Sequence, residues 1–165
     1  MKELSININY KELASSDELD VADAYLLARA AEACNNAYAP YSSFQVGAAL
    51  LLENGEIVCG NNQENAAYPS GLCAERVAMF AASAQYPGQA FKAIAITAKS
   101  KNFDVNYPVS PCGACRQVMA EYEKKGNRPL RVILKGEKGK IIVISDVSGL
   151  LPFAFDASDL DPCQK

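Results

Sequence analysis

With 165 residues, 50% of them hydrophobic, the chain has the length and composition of one domain with a substantial buried core. Its net charge of −3 and the absence of any Lys or Arg run leave no electrostatic footprint for nucleic acid, which argues against a polymer substrate. No apolar stretch approaches roughly 18 residues and the opening MKELSININYKEL has no secretory apolar core, so no membrane partner is expected and the cytoplasm is the expected compartment.

The first predicted element is LSININY, residues 4–10, in which Leu4, Ile6, Ile8 and Tyr10 alternate onto one face; it reads as a short strand that could lie at a sheet edge. Ser15 and Glu18 form a capping-box pattern, which predicts an Ala-rich helix to about Asn36, stopped by Pro40. In FQVGAALLLENGEIVCGN, two apolar runs meet at Asn54-Gly55, a strong hairpin signal. An irregular stretch, NNQENAAYPSGL, follows. The next helix is predicted from Cys73 to about Ala84, apolar on nearly every side (Val77, Ala78, Met79, Phe80, Ala81) and therefore expected to be buried within the subunit or between subunits. FKAIAITAK, LRVILK and KIIVISD are three further strands, the last two joined by the turn-like GEKG. Between the first two of these lies a helix from about Cys112 to Lys124, ended at Gly126. Strands alternating with helices around one mixed sheet of about five strands predict a single α/β domain, a three-layer α/β/α sandwich, with residues 1–14 as an N-terminal extension.

Six cysteines and no histidine decide which chemistry is open to the chain. Without a secretion signal, the cysteines suggest reduced thiols or metal ligands over disulfides. Cys112 and Cys115, at i and i+3 of a helix start, have Cβ atoms roughly 5–6 Å apart, within reach of one zinc. The positive end of the helix favours their thiolates. The pair alone is a weak signal, because a redox disulfide motif has the same spacing. GLCAER adds Cys73 at the start of another helix, and Glu75 two residues on. In mid-helix these two would point to nearly opposite sides, so they converge only if Cys73 is the cap. A structural zinc site is closed by four protein ligands; a catalytic one has three and leaves a position for water. Cys34 and Cys59 read as buried small hydrophobes and Cys163 as a tail thiol, although folding could bring one to a closed four-cysteine site.

FQVGAAL, NQENAAYPSGLCAER and SPCGACRQ together resemble the small zinc-dependent cytidine deaminases, from YAPYSSF at Tyr38 to LLPFAF at Phe155. The resemblance implies one zinc per subunit on Cys73, Cys112 and Cys115, with Glu75 as the proton shuttle. It also implies that Phe44 packs near the pyrimidine, that Asn62 and Glu64 hold the ribose 3′-hydroxyl, and that Ala74 and the carbonyls near Ser110 and Pro111 contact the base and its amino group. Phe155 would enter a neighbouring subunit's site, in a homotetramer whose pockets are shared, and Tyr68 would be a pocket or interface residue. The implied reaction is hydrolytic deamination of cytidine and 2′-deoxycytidine, as in pyrimidine salvage. In it zinc acidifies a water, Glu75 accepts its proton, and C4 of the base is attacked.

Zinc with three thiolates carries net negative charge, so something must draw charge off the sulfurs. Two helix N-termini and Arg76 are the expected sources, while Arg116 could assist or simply be solvated. Two other functions fit parts of the pattern. A deaminase of another cytosine-bearing compound, such as a nucleoside antibiotic, would use the same centre. A non-catalytic zinc-stapled binding module would need no Glu75 and would want a fourth ligand.

Overall fold

The computed structural model describes residues 1–160; Cys163 lies outside the described residues. Its frame is a six-stranded sheet in the order β1-β6-β5-β4-β2-β3. The strands are β1 (Tyr10–Leu13), β2 (Phe44–Leu52), β3 (Ile57–Asn61), β4 (Phe91–Ser100), β5 (Arg131–Lys135) and β6 (Ile141–Ile144), and only the β4–β5 pair is parallel. The helices are α1 (Val21–Cys34), α2 (Ala74–Gln85), α3 (Gly113–Gly126) and the short α4 (Ala157–Leu160). Leu26, Leu27 and Ala30 of α1 pack on one face of the sheet, against Ala49, Ala95 and Ile133. Ala78 and Met79 of α2 and Met119 of α3 pack on the other, against Leu50, Ile94 and Leu134. Three layers follow from a sheet that is apolar on both faces.

The β2–β3 hairpin turns at Asn54-Gly55 as expected. Gly55 adopts φ +88°, and its N–H bonds the carbonyl of Leu52, so the loop is three residues with a left-handed glycine. Several boundaries differ from the sequence reading. The first strand is Tyr10–Leu13, not residues 4–10, because β6 offers only four partners and Tyr10 pairs with the last, Ile144. It does lie at the sheet edge, and it makes six strands where about five were expected. The Ser15–Glu18 capping box is present but closes a single 3₁₀ turn. Leu19 is extended, and α1 starts afresh at Val21, where the Asp20 side chain caps the N–H of Asp23 at 2.8 Å. At the end of α3 the left-handed residue is Asn127, φ +47°, rather than Gly126.

Helix α2 buries Ala74, Glu75, Ala78, Met79 and Ala82, while Phe80 is 43% exposed. It is thus covered on one side by its own subunit, not all round. Close approach of α2 to the sheet depends on Gly60 of β3: a Cβ there would stand 2.5 Å from the Ala74 carbonyl oxygen and 2.5 Å from the Ala78 nitrogen. That contact seats the first turn of α2, and with it Cys73 and Glu75. No helix among the described residues is long and apolar enough to cross a membrane.

Candidate active site and metal centre

Cys73 and Cys112 are the N-cap residues of α2 and α3, both in extended conformation, and neither side chain makes a capping hydrogen bond. Their sulfurs are therefore spared for other work. Cys73 Sγ lies 3.8 Å from Cys112 Sγ, which lies 3.6 Å from Cys115 Sγ, and all three ligand atoms fall within 4.8 Å of one another. A tetrahedral centre with zinc–sulfur bonds of about 2.3 Å holds its sulfurs about 3.8 Å apart, so the donor set fits zinc. No fourth His, Cys, Asp or Glu joins this cluster among the described residues. Cys34 Sγ instead bonds the Gln45 carbonyl at 3.2 Å, and Cys59 packs with the α1 face, 3.8 Å from the Arg29 guanidinium. Both lie outside the metal cluster.

Glu75 is only 4% exposed, and burial pushes its carboxyl above the usual range, with the charge on Cys73 adding to the effect. The Cys73 thiol is pushed down to about 5 by hydrogen bonds from Cys115, Arg76 and Cys112, with the Arg76 charge adding to them. The Arg76 guanidinium donates to Cys73 Sγ at 3.5 Å, the contact expected of a residue that balances thiolate charge. Arg116 does not bond a sulfur. It donates to the carbonyls of Pro111 and Leu150.

Beside the sulfurs opens a cavity of about 640 Å³. Phe44, Asn62, Glu64, Tyr68, Ala74, Glu75 and Arg76 all line it, together with Cys73, Cys112 and Ser110. Phe155 does not; it stands 57% exposed, with its carbonyl bonded to Gln117 of α3. Tyr41, Ser42, Val109 and Ile96 also line the cavity, and the sequence reading did not single them out. Ser42 and Tyr41 matter most. Glu64 accepts from the backbone N–H groups of Tyr41 (2.8 Å) and Ser42 (3.3 Å) and from the Ser42 hydroxyl, which hold its carboxyl below the usual range. Asn62 accepts from the Val46 N–H at 2.8 Å and donates to the Phe44 carbonyl at 2.9 Å. Phe44 stacks on Phe103, and Tyr68 meets Tyr41 edge-on, both at 6.2 Å between centroids.

Three sulfurs at two helix caps and one first turn, with one buried carboxyl beside them and a nucleoside-sized cavity in front, define a zinc hydrolase centre on an α/β sandwich. The family model described as "Cytidine and deoxycytidylate deaminase zinc-binding region" matches residues 20–126. The chain belongs to this family and carries one zinc site per subunit. It is 47% identical over 135 residues to a cytidine deaminase of Sporosarcina psychrophila, covering 82% of this chain and 92% of that protein. It is 44% identical over 136 residues to a cytidine deaminase of Halalkalibacterium halodurans, covering 82% and 96%. A crystal structure of cytidine deaminase from Burkholderia pseudomallei superimposes with a TM-score of 0.69 at 44% identity, over 79% of this chain and 97% of that one.

Proposed function

We propose that this single-domain chain deaminates cytidine and 2′-deoxycytidine hydrolytically, giving the uridine product and ammonia. The observation that carries the reading is the buried Glu75 carboxyl beside three sulfurs that stand a zinc's width apart. Zinc, when bound by Cys73, Cys112 and Cys115, supplies Lewis acidity that makes a water nucleophilic near neutral pH. Glu75 would take one proton from that water and pass it to N3 of the base, and would then carry the proton of the hydroxyl added at C4 to the amine, which leaves as ammonia. Arg76 draws charge from Cys73, and the N-terminal ends of α2 and α3 do the same for both caps. Phe44 gives the base an apolar wall.

The sugar side follows from donor arithmetic. Asn62 has spent one amide N–H and one lone pair on β2, and keeps one of each. Glu64 has spent three of about four acceptor positions on Tyr41 and Ser42, and keeps one. Together they can accept from and donate to one sugar hydroxyl. Holding that hydroxyl positions C4, so the benefit belongs in kcat/KM. Among the described residues, Arg76 is the one cation lining the cavity and is committed to Cys73, so a 5′-phosphate would find no cationic partner there.

The assembly we infer is a homotetramer in the cytoplasm. Phe80 on α2 and Phe155 are large, exposed and suited to cover by other copies. Comparing kcat/KM for cytosine, cytidine, 2′-deoxycytidine and cytidine monophosphate tests the reading. Both nucleosides are expected to react well, and cytosine and the monophosphate poorly. Equal rates on cytosine and cytidine would contradict the sugar clamp, and no turnover of either nucleoside would contradict the function.

A further inference from the structure

The two residues that follow the last metal-site cysteine both reach away from the metal, to one segment near the end of the described chain. Arg116 Nε donates to the Pro111 carbonyl at 2.8 Å, and its Nη1 donates to the Leu150 carbonyl at 3.0 Å. Gln117 Nε2 donates to the Phe155 carbonyl at 2.7 Å. Farther along the same helix, Lys124 pairs with Asp156 at 2.7 Å, and Glu123 accepts from the Val147 N–H at 2.9 Å. Among the described residues, the backbone of residues 152–155 has one hydrogen bond, the one from Gln117. Phe153 there is 94% exposed with φ +58°, a conformation that a bulky residue adopts only when something else fixes the chain.

We propose that Arg116 and Gln117 are positioning residues that join the metal-ligand loop to the arm of residues 150–155, so that Cys112 and Phe155 are placed by one rigid body. A guanidinium fixes its donors in a plane, so Arg116 sets the Pro111 and Leu150 carbonyls relative to each other. The Pro111 carbonyl belongs to the peptide plane that leads into Cys112. Fixing that plane fixes the direction from which the Cys112 side chain leaves the cap. Gln117 then carries the same frame one step further, to the tip of the arm. Arg116 thus serves both the metal loop and the arm, and Gln117 the arm alone.

The two roles separate experimentally in the zinc-loaded protein. Chymotrypsin cleavage after Phe153 or Phe155 reports the arm, and zinc transfer to a colorimetric chelator reports the metal loop. Gln117→Glu keeps the side chain's shape but turns an acceptor toward the Phe155 carbonyl. It should speed arm cleavage about five- to tenfold, the worth of one hydrogen bond, and leave zinc release at the wild-type rate. Arg116→Ala should speed both, zinc release by roughly tenfold or more. Arg116→Lys, which can reach one carbonyl but not both, should restore one readout only. Unchanged arm cleavage in Gln117→Glu, or unchanged zinc release in Arg116→Ala, overturns the proposal. So does cleavage that accelerates equally after the buried Phe91, because that is general destabilisation. The KM consequence rests on the cytidine deaminase reading: Gln117→Glu should raise KM for cytidine more than it lowers kcat. If the wild type does not turn over cytidine, that reading fails, while the cleavage and zinc measurements still decide this one.

Discussion

The two walls of the cavity are built in opposite ways. On the metal side, every functional group lies at a helix cap or in a first turn, and the caps leave their thiols free of structural duty. On the wall proposed to hold the sugar, Asn62 and Glu64 are themselves structural, tying β2 and the loop before it to the stretch after β3. A change on the metal wall should therefore strike chemistry with little loss of fold. A change on the sugar wall should strike fold and binding together.

The largest expected effect is on the metal wall. Glu75→Gln should keep zinc and melting temperature but lose about 10²–10⁴-fold in kcat or more, since in the proposed mechanism one carboxylate serves several proton steps. A variant with near wild-type kcat would remove Glu75 from the mechanism. Arg76→Ala should cost roughly 10–100-fold in kcat or zinc affinity, without the KM change expected of a lost substrate contact. Unchanged metal content and kcat would end the charge-balancing role.

The sugar wall gives smaller effects of another kind. Asn62→Ala leaves the Val46 N–H and the Phe44 carbonyl without their partner, at a cost of about 1–3 kcal/mol. For a chain of this length that is a drop of several degrees in Tm, at roughly 2–4 °C per kcal/mol, accompanied by a rise in KM for cytidine. A higher KM with unchanged Tm would make Asn62 a binding group alone and weaken the contrast between the walls.

Glu64 gives the smallest effect, and one with a pH signature. Its carboxyl is held below the ordinary value of 4.5, first by the Ser42 hydroxyl and then by the Tyr41 and Ser42 amides. A lowered carboxyl stabilises the fold fully above the ordinary value, and the benefit fades as pH falls through the lowered one. The Tm gap between wild type and Glu64→Gln should therefore be constant above about pH 4.5 and close below it. A gap that widens on acidification would show that the carboxylate is not what orders residues 41–42.

The same contrast explains what could be read in the sequence. Cys73, Glu75, Cys112 and Cys115 were legible because a helix cap is a local event, signalled by residues three or four apart. Asn54-Gly55 was legible for the same reason. The partners of Glu64 were not, because Ser42 lies 22 residues away in a loop with no periodicity. Asn62 and Glu64 were singled out only by resemblance, and Gly60 escaped notice although α2 rests on its missing Cβ. Local signals also misled where two competed. Ser15–Glu18 is a true capping box, yet Leu19 turned the chain extended and the Asp20 cap began α1. The alternation of Leu4, Ile6 and Ile8 was real but had no strand left to pair with, since β6 ends at Ile144.

The central claim is that three cysteines and one zinc run this site, and metal titration tests it most directly. Chelator-treated protein would be titrated with zinc while bound metal per chain and loss of cytidine absorbance are followed together, beside Cys115→Ala. Turnover should rise in proportion to zinc and saturate at one ion per chain, and Cys115→Ala should neither hold the metal tightly nor turn over. Full activity in the zinc-free protein, or a Cys115→Ala variant that binds zinc and works normally, would contradict the account.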